Sequence, residues 1–319
     1  MKRRLIIISI LFLILMFSLT SCNNQNKKTN IISTSFAGYD FAKEIAGDMK
    51  TSSMLLNPGE ELHDYSPSVS DIERIINSEI FIYIGGESDE IWVEKQILPE
   101  IDTKKTKIIN MVELVKEKGK AYNEEAPESQ ASKDNDEDEE LDEHVWNSIS
   151  NAKIISEEIC NALCEIDSTN KDKYIANNEQ YNIKLNNIDS AIKNVIKDNN
   201  KNLIVFADRF PLLYFVKEYN LEYDAAFKGC ETAKEANPKT IELLPKKIID
   251  NDLKIVFIIE LSESNIADTV IKNCKDLGHN IEKRTFYTMH NVSKEDYKNG
   301  TSYIDFMNKN IECLREALS

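Results

Sequence analysis

Three of the chain's four histidines and one aspartate have side chains and placements suited to metal binding: His63, His144, Asp208 and His290. Each lies just beyond a short apolar run of strand character, or in the long connection leaving one. His63 falls in the stretch Pro58 to Asp71, directly after Ser53 to Leu56, and His144 ends an acidic stretch that follows Lys107 to Asn110. Asp208 comes two residues after Phe206, and His290 three residues after Tyr287. In an open α/β sheet, ligands bind in the loops at the carboxyl ends of the strands. Neutral imidazoles with a carboxylate are a usual shell for Zn²⁺, normally tetrahedral. More oxygen ligands shift the preference toward Mn²⁺. Four residues so dispersed can converge only where two similar lobes turn their strand ends toward one cleft.

Taken singly, each residue has a plainer role open to it. Asp208 could pair with Arg209 or cap the helix that follows, and Glu231, Glu235 and Glu260 are the substitutes if it is not a ligand. The fourth histidine, His279 in Leu277-Gly278-His279-Asn280, reads as part of a helix-terminating turn. Five cysteines follow Cys22, an odd number that cannot all pair within one chain. Cys160 and Cys164 stand four apart on a helical pattern as small apolar groups, Cys274 with Cys313 is a candidate disulfide, and none has the CxxC spacing of a structural zinc site.

The elements that must position these residues alternate. Apolar runs at Ile31 to Phe36, Ser53 to Leu56, Ile80 to Ile84 and Lys107 to Asn110 read as strands. Tyr39 to Met49, Ser70 to Ser78 and Ser88 to Leu98 read as helices between them, with Ser70 and Glu73 forming a capping box. Ile80 to Ile84 is continuous rather than alternating, as expected of a strand covered on both faces. Such alternation implies a largely parallel sheet. Two long helical patterns follow, one from Asn147 and one from about Asn170 to Lys197, the second with Tyr174, Tyr181, Leu185, Ile188, Ile192 and Val195 at helical spacing. Strands then return at Asn202 to Phe206, Glu222 to Phe227, Lys254 to Ile259 and Lys283 to Tyr287, with helices at Leu212 to Tyr219, Pro238 to Ile249, Asn265 to Leu277 and Thr301 to Leu318. The expected fold is therefore α/β: two similar lobes, each a mostly parallel four-stranded sheet flanked by helices, joined by one long rigid helix. The expected boundaries are 30–168, 169–199 and 200–319 for first lobe, linking helix and second lobe.

Residues 1–21 have a basic start, Lys2-Arg3-Arg4, then an apolar run from Leu5 to Leu19 and small residues, which is the pattern of a secretory signal. Leu19-Thr20-Ser21-Cys22 resembles the bacterial lipobox, which implies a lipid on Cys22 and a polar tether over 22–29. The net charge is −16, and loss of Lys2, Arg3 and Arg4 with the signal brings it to −19. Nucleic acid and anionic substrates, which need basic patches, are excluded as expected partners. Asn123 to Glu143 holds 11 acidic residues, one lysine and no aromatic, too little apolar surface to order itself as a solvated loop before His144. A mobile carboxylate-rich loop there could collect cations near a site.

These residues carry a resemblance. The chain is similar to the metal-binding lipoproteins of bacterial zinc and manganese ABC importers, over nearly all of the mature chain. Ser35-Phe36 to Gly47-Asp48 resembles the family's opening strand and helix, and Pro58-Gly59 to His63-Asp64-Tyr65 its first ligand loop. Asp142-Glu143-His144-Val145-Trp146 resembles the second ligand loop, with Glu143 where the family usually has proline, and Tyr303, Met307, Asn310 and Leu314 resemble the last helix. The resemblance implies ligand roles for His63 and His144, assigns the fourth position to the loop holding His290, and makes Asp208 the nearest candidate for the third. Three histidines with one carboxylate favour Zn²⁺, carried as the transported ligand, with Mn²⁺ as the alternative. It further implies a monomer, lipid-anchored at the extracytoplasmic face of the cell membrane, that passes the ion to an ABC permease and its ATPase. Two other classes compete: a surface metallohydrolase, disfavoured because the chain has no HExxH pair and no GxSxG elbow, and an adhesin-type lipoprotein for which metal is incidental.

Overall fold

The computed structural model describes residues 30–60, 65–125, 140–229, 238–263 and 265–319. Cys22, His63, Cys230, Glu231 and Glu235 lie outside the described residues.

Two four-stranded sheets make the frame. The first is built from β1 (Ile31–Ser33), β2 (Ser52–Met54), β3 (Ile80–Tyr83) and β4 (Lys107–Asn110), and the second from β5 (Leu203–Phe206), β6 (Glu222–Ala225), β7 (Ile255–Ile259) and β8 (Glu282–Phe286). Their orders are β2-β1-β3-β4 and β6-β5-β7-β8, the same topology twice, and every pairing within them is parallel. Each sheet thus has a switch point between its first and third strands, where successive loops diverge and leave a crevice.

Alternate strand residues face different cores, which is why the strands read as unbroken apolar runs. Ile31, Ile80 and Ile82 enter a central cluster, whereas Ile32, Phe81 and Tyr83 enter an outer one. In the second sheet Ile204, Phe206, Phe257 and Ile259 face the same central cluster, and Leu203, Val205 and Val256 an outer one. One apolar cluster is therefore shared by both lobes.

Helices α1 (Phe36–Ala46), α2 (Val69–Ile76) and α3 (Met111–Glu117) belong to the first sheet. Helix α4 (Ile149–Ile166) leads to α5 (Lys171–Lys197), whose 27 residues are about 40 Å long at 1.5 Å each. Its buried face is Tyr174, Tyr181, Leu185, Ile188, Ile192 and Val195, the stripe expected from spacing. Near one end Asn177 donates to the Ile45 carbonyl at 2.9 Å, and farther along Tyr219 donates to Asp189 at 3.2 Å, so α5 spans the two lobes. The second lobe adds α6 (Leu213–Tyr219), α7 (Pro238–Asp250), α8 (Asn265–Asp276), α9 (Lys294–Asn299) and α10 (Tyr303–Leu318). Helix α10 crosses back to the first lobe: Tyr303 packs on Phe41 at 4.9 Å between ring centroids, Phe306 on Phe36 at 5.7 Å, and the Tyr303 N–H donates to Asp40 at 2.9 Å. Among the described residues no helix is long and apolar enough to cross a membrane.

Some local expectations are corrected. The capping box of α2 uses Ser68 and Asp71, not Ser70 and Glu73. Both pairs satisfy the same spacing, and the earlier one adds half a turn and an Asp71–Arg74 ion pair at 3.1 Å. The helix expected over Ser88 to Leu98 is one α-turn, Glu87–Asp89, followed by a π-helical stretch, Glu90–Ile97. The Trp92 indole donates to the Ser88 carbonyl at 3.0 Å, taking an acceptor that an α-helix would give to the backbone. The disulfide does not form. Cys274 is a free thiol buried on α8, and Cys313 a free thiol on α10 with its sulfur 3.6 Å from the Thr285 carbonyl. Cys160 is buried in the central cluster with Cys164 packed against it, as expected of small apolar groups.

Candidate metal centre

The two lobes meet at the connections that leave their fourth strands. In the first lobe, Asp142-Glu143-His144 runs into a single 3-10 turn, Val145–Asn147, and then into α4, capped by Ser148. In the second, Tyr287 to Asn291 leaves β8 with Met289 in a left-handed conformation at φ 58°. Hydrogen bonds join the connection of the first lobe to the second, among them the Trp146 indole to the Thr288 carbonyl at 2.8 Å, the Asn147 amide to the Pro211 carbonyl at 2.7 Å, the Tyr214 hydroxyl to the Asp142 carbonyl at 2.9 Å and the Tyr303 hydroxyl to the Trp146 carbonyl at 2.8 Å.

This stitching brings His144 and His290 together. Their ring centroids are 4.5 Å apart with planes at 79°, and Trp146 stands edge-on to both. Among the described residues, Glu143, His144 and His290 form a group whose donor atoms all lie within 4.8 Å of one another, and all three are buried. The His144 Nδ1 lies 3.0 Å from Asp142 Oδ1, which also accepts the His144 backbone N–H at 2.8 Å. That carboxylate fixes the ring orientation and makes Nδ1 the protonated nitrogen, so Nε2 is the nitrogen suited to coordinate a metal. Glu143 accepts from the Ser88 N–H at 3.1 Å through Oε2, and from the Ser88 hydroxyl through Oε1.

The His290 loop is held from behind by Glu260. Its two oxygens accept the Thr288 N–H and hydroxyl, each at 2.7 Å, and the His290 N–H points to it as well. Burial pushes the Glu260 carboxyl above its ordinary range, opposed by those donors. Asp89, behind Glu143, is pushed up to about 7 by burial and by the Glu143 charge, against the Ile84 and Gly85 N–H groups that it accepts.

Of the residues expected at the site, His144 and His290 stand together. Asp208 lies outside their group: it is buried, its Oδ1 accepts the Arg209 N–H at 2.8 Å, and its Oδ2 accepts the Ile259 N–H at 3.1 Å. Glu260 likewise lies outside the group, its oxygens accepting the Thr288 N–H and hydroxyl. His63 is outside the described residues, but its flank is placed. Asn291 donates to the carbonyls of Asn57 (3.0 Å) and Glu60, and the Gly59 N–H donates to the Val292 carbonyl at 2.9 Å. His63 is three residues beyond Glu60, a separation that spans at most about 10 Å of chain. His279 has the structural role expected of it, its Nε2 donating to the Leu253 carbonyl at 2.7 Å. Sequence reasoning passed over Glu143 as a donor, although its standing in place of the usual proline was the available signal.

Two like α/β lobes closing on a buried histidine and carboxylate cluster define a cleft-type binding protein. The chain belongs to the family described as zinc-uptake complex component A, periplasmic (ZnuA), whose profile matches residues 31–317. It is 26% identical over 305 residues to the zinc-binding lipoprotein AdcA of Streptococcus pneumoniae strain R6, covering 93% of this chain and 58% of AdcA. The chain thus spans little more than half the length of that relative. To the high-affinity zinc uptake system protein ZnuA of Bacillus subtilis it is 26% identical over 303 residues, covering 93% of this chain and 90% of ZnuA. Among solved structures, the zinc-bound ZnuA-like domain of S. pneumoniae AdcA superposes with a TM-score of 0.69 at 24% identity, covering 91% of this chain and 98% of that one. A manganese-bound periplasmic metal-binding protein of Candidatus Liberibacter asiaticus gives 0.70 at 21%, covering 89% and 98%. At these identities the structural likeness speaks for the fold.

Proposed function

We propose that this chain captures Zn²⁺ in the cleft between its lobes and delivers it to an ABC permease for uptake. The observation that carries this is the convergence of His144 and His290, one from each lobe, with Glu143 in a buried group of donors. Family membership supports it, as do the zinc-binding relatives. His63 is proposed as a further ligand, from the tie between its flank and Asn291. Three imidazoles and a carboxylate fill a tetrahedral shell, which suits a carrier, whereas a hydrolase needs a position open for water. The protein is accordingly proposed to be no enzyme. It would act as a monomer outside the cytoplasm, held to the membrane by lipid on Cys22, with the permease and its ATPase as partners.

Metal content and competitive affinity test this. Protein stripped with chelator and offered Zn²⁺ and Mn²⁺ together should retain one zinc per chain, and His144→Ala should weaken zinc by about a thousandfold or more while the fold persists. The manganese-bound neighbour gives the second reading its footing. Preference for manganese would establish that reading, and tight binding of neither ion would defeat both.

A further inference from the structure

We propose that Glu143 is the carboxylate ligand of the inter-lobe site and that Ser88 is the residue that positions it. The inference rests on the carrier reading above and adds what that reading leaves open, the identity of the oxygen donor.

Several independent features meet at Glu143. It is 4% exposed, and a carboxylate oxygen lies within 4.8 Å of a ring nitrogen of both His144 and His290. Donors about 2.0–2.2 Å from one zinc stand about 3.4 Å apart in a tetrahedron, so side-chain shifts of about an ångström complete the shell. Ser88 fixes both carboxylate oxygens, one through its N–H and one through its hydroxyl. An ionised carboxylate has about four acceptor sites, and bonds to both of its oxygens orient it. A hydrogen-bonded carboxylate of this kind is how a ligand is usually held in register.

Gly86 makes the approach possible. A Cβ on residue 86 would stand 2.3 Å from the Glu143 Cβ and 2.4 Å from its Oε2. Only a residue without a side chain lets the carboxylate occupy this position. The competing carboxylates of the second lobe stand apart: among the described residues neither Asp208 nor Glu260 belongs to the group of donors that His144 and His290 share with Glu143. Glu143 thus supplies the oxygen beside His144 and His290, the donor type expected from sequence at a different residue.

The test uses the full chain, stripped of metal, as wild type, Glu143→Gln, Ser88→Ala, Asp208→Asn and His144→Ala. Zinc affinity is read by competition, and the coordination sphere by the visible absorption of the Co²⁺ form. Glu143→Gln, which keeps the shape and removes the charge, should lose at least a hundredfold in zinc affinity and change the Co²⁺ spectrum. Ser88→Ala should lose about 10- to 100-fold with the Co²⁺ bands retained. If Glu143→Gln does not fold, Glu143→Asp gives the same reading, since shortening the side chain by one methylene should alter the Co²⁺ bands. Wild-type affinity and spectrum in the Glu143 variants, with binding abolished in His144→Ala, overturn the proposal while leaving the carrier reading intact. Loss in Asp208→Asn without loss in Glu143→Gln returns the role to Asp208. Absence of tight binding by the wild type overturns both.

Discussion

The two lobes share one strand order and place His144 and His290 at equivalent positions, the connection after the fourth strand, yet they hold these histidines differently. In the first lobe a carboxylate grips the imidazole itself, Asp142 on His144 Nδ1. In the second a carboxylate grips the backbone around the imidazole, Glu260 on Thr288 and His290. The first arrangement sets tautomer and ring angle, and the second sets only where the loop lies. The same fold thus offers one ring with its chemistry tuned and one whose position is the controlled quantity.

That contrast can be broken at its strongest point. His144→Ala and His290→Ala should each reduce zinc affinity by about a thousandfold or more, measured by chelator competition; loss in only one would mean that the lobes do not share the ion. Asp142→Asn comes next, with about 10- to 100-fold weaker binding because it removes the acceptor that orients a ligand ring. Glu260→Gln should lower stability by about 1–3 kcal/mol in denaturant titrations, as a buried donor loses its acceptor, with a smaller change in affinity than Asp142→Asn. The reverse order would mean that loop position, not ring orientation, limits binding.

An effect on stability alone, with zinc affinity unchanged, is expected at the joint between the lobes. Asp40 on α1 accepts the Tyr303 N–H at the start of α10, and burial raises its pKa to about 6, with Glu44 and Asp305 adding to the rise and Lys43 opposing it. A carboxyl whose folded pKa is raised favours the neutral form in the native state. Its contribution is therefore full below about pH 4 and is lost as pH rises through about 6. Asp40→Asn keeps the acceptor without the charge. Between pH 4 and 7 the stability difference between the two proteins should move by about 2–3 kcal/mol in favour of asparagine. A difference independent of pH would show that Asp40 is hydrated in solution.

How far the sequence revealed this molecule follows from what each feature depends on. Strands such as Ile80–Tyr83 were legible because both faces are buried, and α5 because its stripe of Tyr174 to Val195 keeps helical spacing over its whole length. The start of α2 was not, because Ser68 and Ser70 offer the same pattern two residues apart. The π-helical stretch was hidden since it turns on one indole finding one carbonyl. At the site, His144 and His290 could be singled out by their place after strands. The choice among Asp208, Glu260 and Glu143 depends on which carboxylate stands with both rings, and that is a property of tertiary contacts. Short helices such as α9, at six residues, give too little periodicity to detect.

Helix α10 has a bearing on the order in which the molecule can be built. Phe36 and Phe41 of the first helix are covered by Phe306 and Tyr303 of the last, and the Asp40 carboxyl meets its helix-terminal partner there. As the chain emerges from the ribosome, α1 must wait for residues 303–318 before its apolar face is sealed. The first lobe is first in synthesis but cannot be first to finish folding.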